Sequence, residues 1–292
     1  MLPPVSTGKV RVRVFTDPAP VKSIASAGKF TFVASDDAIQ RWDGSGQMVA
    51  MSADHGLPGD HVVALAADSE RKRAWILTDG GLGFYDADAE VYSEVAPPPA
   101  ALVDYATLAR QTAALAAAAD GGAWIGTQGG LLYVSERGGW LATSIKDPVR
   151  ALVKDRAGWL WIATKTGLIG RKPSGEMVKL TAANGCEVEE PRIVVEAPGD
   201  RVMAIGGDGA GHERIAVGRG NTWASYRTLP ELTWDAATRR SNTVVAMANG
   251  RLFRIAAASE AARPLQRDGV RFVPLARSAP RVFRSCRPPG SK

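Results

Sequence analysis

The sequence is poor in the residues that most often build metal centres and disulfides. Among its 292 residues there are two cysteines, Cys186 and Cys286, and three histidines, His55, His61 and His212. The cysteines are far apart, and no CxxC or Cys/His spacing typical of a metal site occurs. We therefore expect free thiols, no bound metal and no cofactor. We also expect no structural disulfide, because a chain of this length can bury a sufficient core without one.

Long apolar runs are missing too. No stretch approaches the ~18 uncharged apolar residues of a membrane-spanning helix. The first residues, MLPPVSTGKV, lack the basic region and apolar run of a secretory signal. These features predict no transmembrane segment and a cytoplasmic protein. The alternative is a periplasmic or extracellular protein whose signal has been removed.

Acidic residues are scarce at the C-terminal end. The chain has a net charge of +6, yet residues 263–292 contain eight Lys or Arg and a single acid, Asp268. We expect residues 276–292 to form a basic tail, part of it disordered. Such a tail can attract an acidic surface, although it is more often a solvated end that aids solubility. No aromatic stacking pattern accompanies it, so nucleic acid is not the expected partner.

What the chain does contain is an internal repeat. The tetrapeptide Trp-Ile-x-Thr occurs at 75–78, 124–127 and 161–164, and weaker copies lie at 32–35, 203–206 and 244–247. An acidic or glycine-rich turn and a short apolar strand precede the strong copies, and a Gly-Leu step follows each of them. The repeat length of about 40 residues is that of a propeller blade.

A further strand recurs between the repeats, usually opened by glycine. Its copies lie at 46–51, 89–93, 139–143, 175–180, 220–224 and 269–273, and residues 8–14 fit the same position. Short strands joined by Gly and Asp turns form hairpins, and stacking four-stranded sheets radially covers their faces. The sequence therefore predicts an all-β fold, a single β-propeller domain over residues 1–292. It has six four-stranded blades, and seven is the alternative. The recurring strand thus has seven copies for six blades. We expect the extra copy, at 10–15 or 270–275, to close the ring by completing a blade made mostly from the other end of the chain.

One alanine-rich segment, 108–119, locally favours a helix. Its alignment with the first strand of the other repeats predicts a strand at 112–118. Residues 97–111 are expected to hold a short helical or irregular insertion, which explains the longer spacing of this repeat.

The repeat resembles the two-component regulator propeller repeats of bacterial ligand-sensing proteins, within the WD/YVTN-like propeller superfamily. The resemblance is carried by Asp-His-Gly-Leu-Pro-Gly-Asp-His-Val at 54–62, by Trp-Ile-x-Thr and by the Gly-Leu steps, over residues 54–170. It implies a sensor component, which in that family commonly lies outside the membrane ahead of a transmembrane helix and a kinase. The family carries no fixed catalytic set that could be transferred to this chain.

Motifs of catalysis are absent from the sequence. It contains no serine nucleophile elbow, P-loop or dinucleotide-binding fingerprint, and the glycine-rich stretch 206–211 is best interpreted as a hairpin turn. Acids at turns, such as Asp36, Asp37, Asp79 and Asp208, could serve a propeller enzyme acting on a glycan or peptide. Turn propensity explains them equally well. We predict that the chain is not an enzyme, with a lyase or hydrolase as the alternative.

The predicted function is a monomeric binding module that presents one loop face to a protein or a small ligand. A scaffold that docks through the basic tail is a further alternative. By analogy with WD-type propellers, the turns after the Trp-Ile-x-Thr strands share a face with the connectors between blades. The expected binding residues on that face are Asp36, Asp79, Gln128, Lys165, Asp208, Asn249, Asp54, His55, Asp60 and His61.

Overall fold

A computed structural model describes most of the chain. The described residues are 23–35, 38–53, 56–59, 61–228, 233–240, 243–249, 251–257 and 270–274. Their regular secondary structure is almost entirely β-strand, arranged as six four-stranded antiparallel sheets. The predicted six-bladed all-β propeller is thus confirmed. Among the described residues no helix is long and apolar enough to cross a membrane.

Each blade consists of four strands that are consecutive in the chain. The innermost strands are β1 (Ser23–Ala27), β5 (Val62–Asp68), β9 (Thr112–Ala117), β13 (Val149–Lys154), β17 (Glu190–Ala197) and β21 (Trp234–Arg240). The second strands are β2 (Phe30–Ala34), β6 (Arg73–Thr78), β10 (Ala123–Thr127), β14 (Leu160–Thr164), β18 (Arg201–Gly207) and β22 (Thr243–Ala248). The third strands are β3 (Ile39–Trp42), β7 (Leu82–Asp86), β11 (Gly130–Val134), β15 (Gly167–Arg171), β19 (Glu213–Arg219) and β23 (Arg251–Ala257). The outermost strands are β4 (Met48–Met51), β8 (Val91–Glu94), β12 (Trp140–Ala142), β16 (Met177–Lys179), β20 (Thr222–Arg227) and β24 (Val270–Pro274).

The strands predicted between repeats are the outermost strands of their own blades. In particular, β24 pairs with β23 of the sixth blade. The expectation that residues 270–275 complete a blade made mostly from the other end of the chain is therefore wrong. The alternative closing strand at 10–15 and the tail at 276–292 lie outside the described residues.

The second strands of the third and fourth blades are buried on both faces, since a neighbouring blade covers each face. Every residue of β10 and β14 is buried, which explains why the repeat is a continuous apolar run rather than an alternating one. Outermost strands face solvent, and β4 and β16 are mostly exposed. Five apolar clusters fill the spaces between the six consecutive blades.

The aligned tryptophans belong to these clusters. Trp75 and Trp161 are fully buried and Trp124 is 8% exposed. They pack between blades, as predicted, and do not form an exposed stacking set for a sugar.

The alanine-rich segment divides as the sequence predicted. The helix α1 (Tyr105–Gln111) is capped by the Asp104 side chain, which accepts a hydrogen bond from the Thr107 backbone N–H. The strand β9 follows it directly, and its backbone pairs with β10. Pairing with the sheet thus overrides the local helix propensity of the alanines.

The two ends of the strands define two faces of the ring. Because the strands are antiparallel, the turns between second and third strands lie at the same end as the connectors between blades. We call this end the connector face and the other end the opposite face. Residues that follow the innermost strands, such as Asp155, therefore lie on the opposite face.

Candidate functional site

Backbone hydrogen bonds hold the connector face together in the same way in successive blades. In the third blade the Gln128 N–H donates to the Gln111 carbonyl at 3.0 Å, and in the fourth the Lys165 N–H donates to the Pro148 carbonyl at 2.9 Å. Each bond ties the turn after a second strand to the residue before an innermost strand. The turns and connectors named from the sequence therefore do lie side by side.

Two of the expected binding residues use their side chains to fix a connector. Oδ1 of Asp79 accepts a hydrogen bond from the His61 backbone N–H at 3.1 Å. In the sixth blade, Oδ1 of Asn249 accepts from the Thr233 backbone N–H at 3.3 Å. Holding the connector requires a short side chain with an acceptor oxygen at the turn, which explains Asp and Asn at these positions. Both residues therefore already have a structural role.

Asp208 is likewise committed to its own turn. Its Oδ1 accepts from the backbone N–H groups of Ala210 at 3.0 Å and His212 at 3.1 Å, and its Oδ2 accepts from Nε of Arg214 at 3.0 Å. The hydrogen bond from the His212 backbone N–H, followed by those from the Ala210 backbone and the Arg214 side chain and by the charge of His212, lowers the pKa of Asp208 to about 2.

We expect this carboxylate to make the protein more sensitive to acid. The pKa of Asp208 lies below its ordinary value of 3.8 in the folded state, so ionised Asp208 stabilises the fold above about pH 4 and that contribution is lost as the pH falls through about 2. The variant Asp208→Asn should lose less stability between about pH 4 and pH 2 than the parent protein does. Urea midpoints at both pH values, compared with those at neutral pH, measure the difference. Equal pH dependence in both proteins would contradict the assignment.

Gln128 and Lys165 are exposed turn residues whose side chains form no hydrogen bond or ion pair with another described residue. The hydrogen bond between Asp79 and His61 lies within one blade and its connector. The face thus presents turn residues of several blades as one surface. Four residues of the expected set lie outside the described residues: Asp36, Asp54, His55 and Asp60.

A cavity of about 470 Å³ lies on the opposite face, where the sequence analysis placed no site. Its walls are the ends of the innermost strands β5, β9 and β13, together with Glu196 from β17. It is therefore an axial cavity, formed where four blades meet around the ring axis. Its volume falls within the range of small-molecule sites.

The alanine run of the third blade makes room for this cavity. Ala116 and Ala117 line it at the position where the fourth blade has Val153 and Lys154. A strand of small residues leaves space that the longer side chains of its neighbours would fill. Apolar atoms of Leu115 form part of the same wall.

Charged side chains surround the mouth of the axial cavity. Nζ of Lys154 lies 3.1 Å from Oε1 of Glu70, so the second and fourth blades are joined across the third. Glu196 pairs with Arg239 at 2.9 Å, and Arg156 pairs with Asp200 at 3.3 Å.

Asp155 lines the cavity but is not free to act on a ligand. Its Oδ1 accepts from the Trp159 backbone N–H at 2.9 Å, and its Oδ2 accepts from Nε1 of Trp161 at 2.8 Å. The residue is only 5% exposed. We therefore assign it to the packing between the fourth and fifth blades.

A second cavity, a groove of about 260 Å³, runs between the third and fourth blades beside Trp124. Turn hydrogen bonds show that Ala118 of the third blade corresponds to Asp155 of the fourth, and Gly122 to Trp159. The third blade thus lacks both the carboxylate and the second indole that cover the buried tryptophan of the fourth. The groove follows from these two smaller residues.

The groove has an aromatic wall and a cation. The rings of Trp124 and Tyr133 lie 4.8 Å apart, and the Arg171 guanidinium lies 4.7 Å from the Trp124 ring. Burial, and then the hydrogen bond to Asp120, raises the pKa of Tyr133 to about 12. Lys154 lines both the groove and the axial cavity.

No arrangement of three or more His, Cys, Asp or Glu residues within the described ranges could hold a metal ion. Cys186 is a buried free thiol whose pKa is raised by burial, and Cys286 lies outside the described residues.

Comparison with known proteins finds similarity in structure only. No protein-family model matches the sequence. No curated protein matches it either. Many solved structures do match, and the three described next share 11–15% of their residues with this chain.

Streptogramin B lyase is similar with a TM-score of 0.64 and 12% identity, over 90% of this chain and 85% of that one. A catalytically inactive histidine-to-alanine variant of virginiamycin B lyase from Staphylococcus aureus, with quinupristin, gives 0.63 and 11%, over 90% and 87%. The extracellular domain of BT4673 from B. thetaiotaomicron, described as part of a one-component system, gives 0.62 and 15%, over 86% and 37%. The present chain thus spans little more than a third of that extracellular domain.

These similarities correct one prediction and support another in part. The prediction that the chain is not an enzyme is contradicted, because the first structure named above is a lyase with the same architecture. At about 12% identity the shared fold does not decide catalysis. The resemblance to sensor propellers is supported at the level of the β-propeller fold.

Proposed function

We propose that this chain is a binding propeller that holds a small zwitterionic molecule in its axial cavity. The observation that carries the proposal is the 470 Å³ cavity with an apolar floor and a mouth bearing both carboxylates and cations. A molecule with an ammonium group, a carboxylate and an apolar body, such as an amino acid or short peptide, matches those three features.

The ion pair at the mouth can exchange partners at little cost. Glu70 is 65% exposed in its pair with Lys154, which is itself 19% exposed. Ion pairs with an exposed member contribute little to stability. Lys154 and Glu70 are therefore available to turn towards the carboxylate and the ammonium group of a ligand.

Similarity to the extracellular domain of BT4673 supports a ligand-binding role. Similarity to the lyases supports a role in which a bound molecule is converted. The chain contains no feature that selects between them. The experiment therefore measures both the binding of a small molecule and its chemical conversion.

The experiment is a thermal-shift screen of the full chain with amino acids and dipeptides, each compared with its N-acetylated amide. A ligand at about 100 times its dissociation constant stabilises by about 2.7 kcal/mol, which should raise the melting temperature by several degrees. We expect zwitterions to raise it and the capped analogues to have no effect. Incubation with quinupristin, followed by mass spectrometry, tests for conversion of the compound bound by the lyase variant.

The chain offers one variant that blocks the cavity and a matched control. Ala67 is an exposed alanine on an innermost strand that lines the cavity, so Ala67→Phe should fill the cavity and weaken binding by at least about tenfold. Ala113 is an exposed alanine on an innermost strand at the connector face, so Ala113→Phe should bind as the parent does. Full binding by Ala67→Phe would exclude the axial cavity, and equal binding of capped analogues would exclude the zwitterion.

A further inference from the structure

The connector face carries a cluster of cations in the fourth blade that the axial cavity does not use. We call Lys146, Arg150, Lys165 and Lys179 the basic sector. The three lysines are exposed and Arg150 is half-buried. None of them makes a side-chain hydrogen bond or ion pair with another described residue.

Backbone contacts place these four residues at one end of the fourth blade. Lys146 and Arg150 flank Pro148, and the Pro148 carbonyl accepts the hydrogen bond from the Lys165 backbone N–H at 2.9 Å. The side chain of Lys179 lies against Gly167, such that a Cβ added to the glycine would be 3.3 Å from the Lys179 Cε. The four cations are thus spread along the connector end of the blade, from its innermost strand to its outermost strand.

Arg150 owes its place to an irregularity of β13. The pairing of β13 with β14 shifts its register between Val149 and Ala151, so Arg150 is the extra residue of a β-bulge. Bulges re-aim a side chain at the rim of a sheet. Arg150 is half-buried there and has no anionic partner among the described residues, so an anion bound at this position would supply one.

Cations on the opposite face are mostly paired, in contrast. Lys72 pairs with Asp88, Lys172 pairs with Glu176, and Lys154 pairs with Glu70. In the basic sector the one acid is Asp147, and its Oδ2 already accepts a hydrogen bond from the Thr166 hydroxyl. The excess positive charge of the sector is therefore available to a partner.

We propose that the basic sector docks an acidic segment of a partner protein. Complementary charge is what such a surface selects. The neighbouring fifth blade limits the footprint, because Glu189 of its connector and Glu190 at the start of β17 are adjacent in the chain and repel an anion. A short acidic segment that lies over the fourth blade alone is therefore the occupant that fits.

The test measures binding of a fluorescein-labelled acidic decapeptide, made of six glutamates and four serines, to the full chain by fluorescence anisotropy. Lys165→Glu with Lys179→Glu should weaken binding by about tenfold or more. The control, Arg137→Glu with Arg219→Glu, makes the same charge change at exposed arginines of the opposite face and should bind within about twofold of the parent. The basic tail is present in every variant and cancels from the comparison.

Three outcomes would overturn the proposal. They are equal weakening by both double variants, no binding to the parent at about 1 mM and low salt, and tighter binding of a single-stranded oligonucleotide of equal charge. The Ala67→Phe variant should bind the peptide as the parent does, so the basic sector and the axial cavity are tested independently.

Discussion

Replacing Trp161 by alanine is expected to lower the free energy of unfolding by about 3–5 kcal/mol, the range for a large buried side chain. The Trp161 ring is fully buried, stacks on Trp159 with centroids 5.3 Å apart, and meets Trp223 edge-on at 5.0 Å. Its removal leaves a void between the fourth and fifth blades that β-sheet neighbours cannot collapse to fill. Urea denaturation followed by circular dichroism measures the loss.

A matched surface variant controls for unspecific effects. Leu141 is 58% exposed on an outermost strand, so Leu141→Ala should change stability by no more than about 0.5 kcal/mol. A loss below about 1 kcal/mol for Trp161→Ala would mean that the ring is not packed between the blades.

The hydrogen bond from Trp161 to Asp155 adds a second, separable effect. Asp155→Ala leaves the buried indole N–H without an acceptor and should cost about 1–3 kcal/mol. In a Trp161→Phe background the indole N–H is gone, so the same alanine substitution should cost less. A double-mutant cycle measures this coupling, and strictly additive effects would contradict the assignment of Asp155 to packing.

Replacing Gly80 by alanine is the second large expected effect, with a loss of about 1–3 kcal/mol from overpacking. A Cβ at Gly80 would overlap the carbonyl oxygen of Pro58, because the connector of the second blade lies directly on this turn. Leu57 in the same connector is 5% exposed and joins the core between the first two blades, so the connector cannot simply move away. Thermal unfolding measures the loss.

The third blade supplies a matched control at the same turn position. A Cβ at Gly129 would meet nothing nearer than Oγ1 of Thr127, at 3.7 Å. Gly129→Ala should therefore be neutral or stabilise by up to about 1 kcal/mol, since alanine restricts the unfolded chain. Equal effects at the two glycines would show that the connector contact does not constrain the turn.

Several elements could be predicted from the sequence because their cause is local. Hairpins need turn residues between short apolar strands, and those patterns recur at 75–78, 124–127 and 161–164. The helix α1 and the strand β9 followed from aligning an alanine-rich segment with its neighbours in the repeat. The aligned position of the tryptophans also predicted that they pack between blades.

The binding face stays a prediction, and the sequence did not reveal that two of its residues have a structural role. Asp79 and Asn249 were expected to face a ligand, but their oxygens accept hydrogen bonds from connector backbone. Turn residues that bind a ligand and turn residues that fix a loop have the same composition, so sequence alone could not separate them. The absence of familiar catalytic motifs was also a poor guide to whether the chain is an enzyme, as the lyases of the same fold demonstrate.

The sequence by itself determined the repeat, the all-β class and the burial of the second strands, because each depends on the order of apolar and turn residues within one blade. The axial cavity and the basic sector were decided only by the tertiary structure. Glu70 and Lys154 are 84 residues apart, and they meet because the alanine strand between them leaves space. Whether a cation finds a partner likewise depends on which blades stand next to each other, which is information that no single repeat contains.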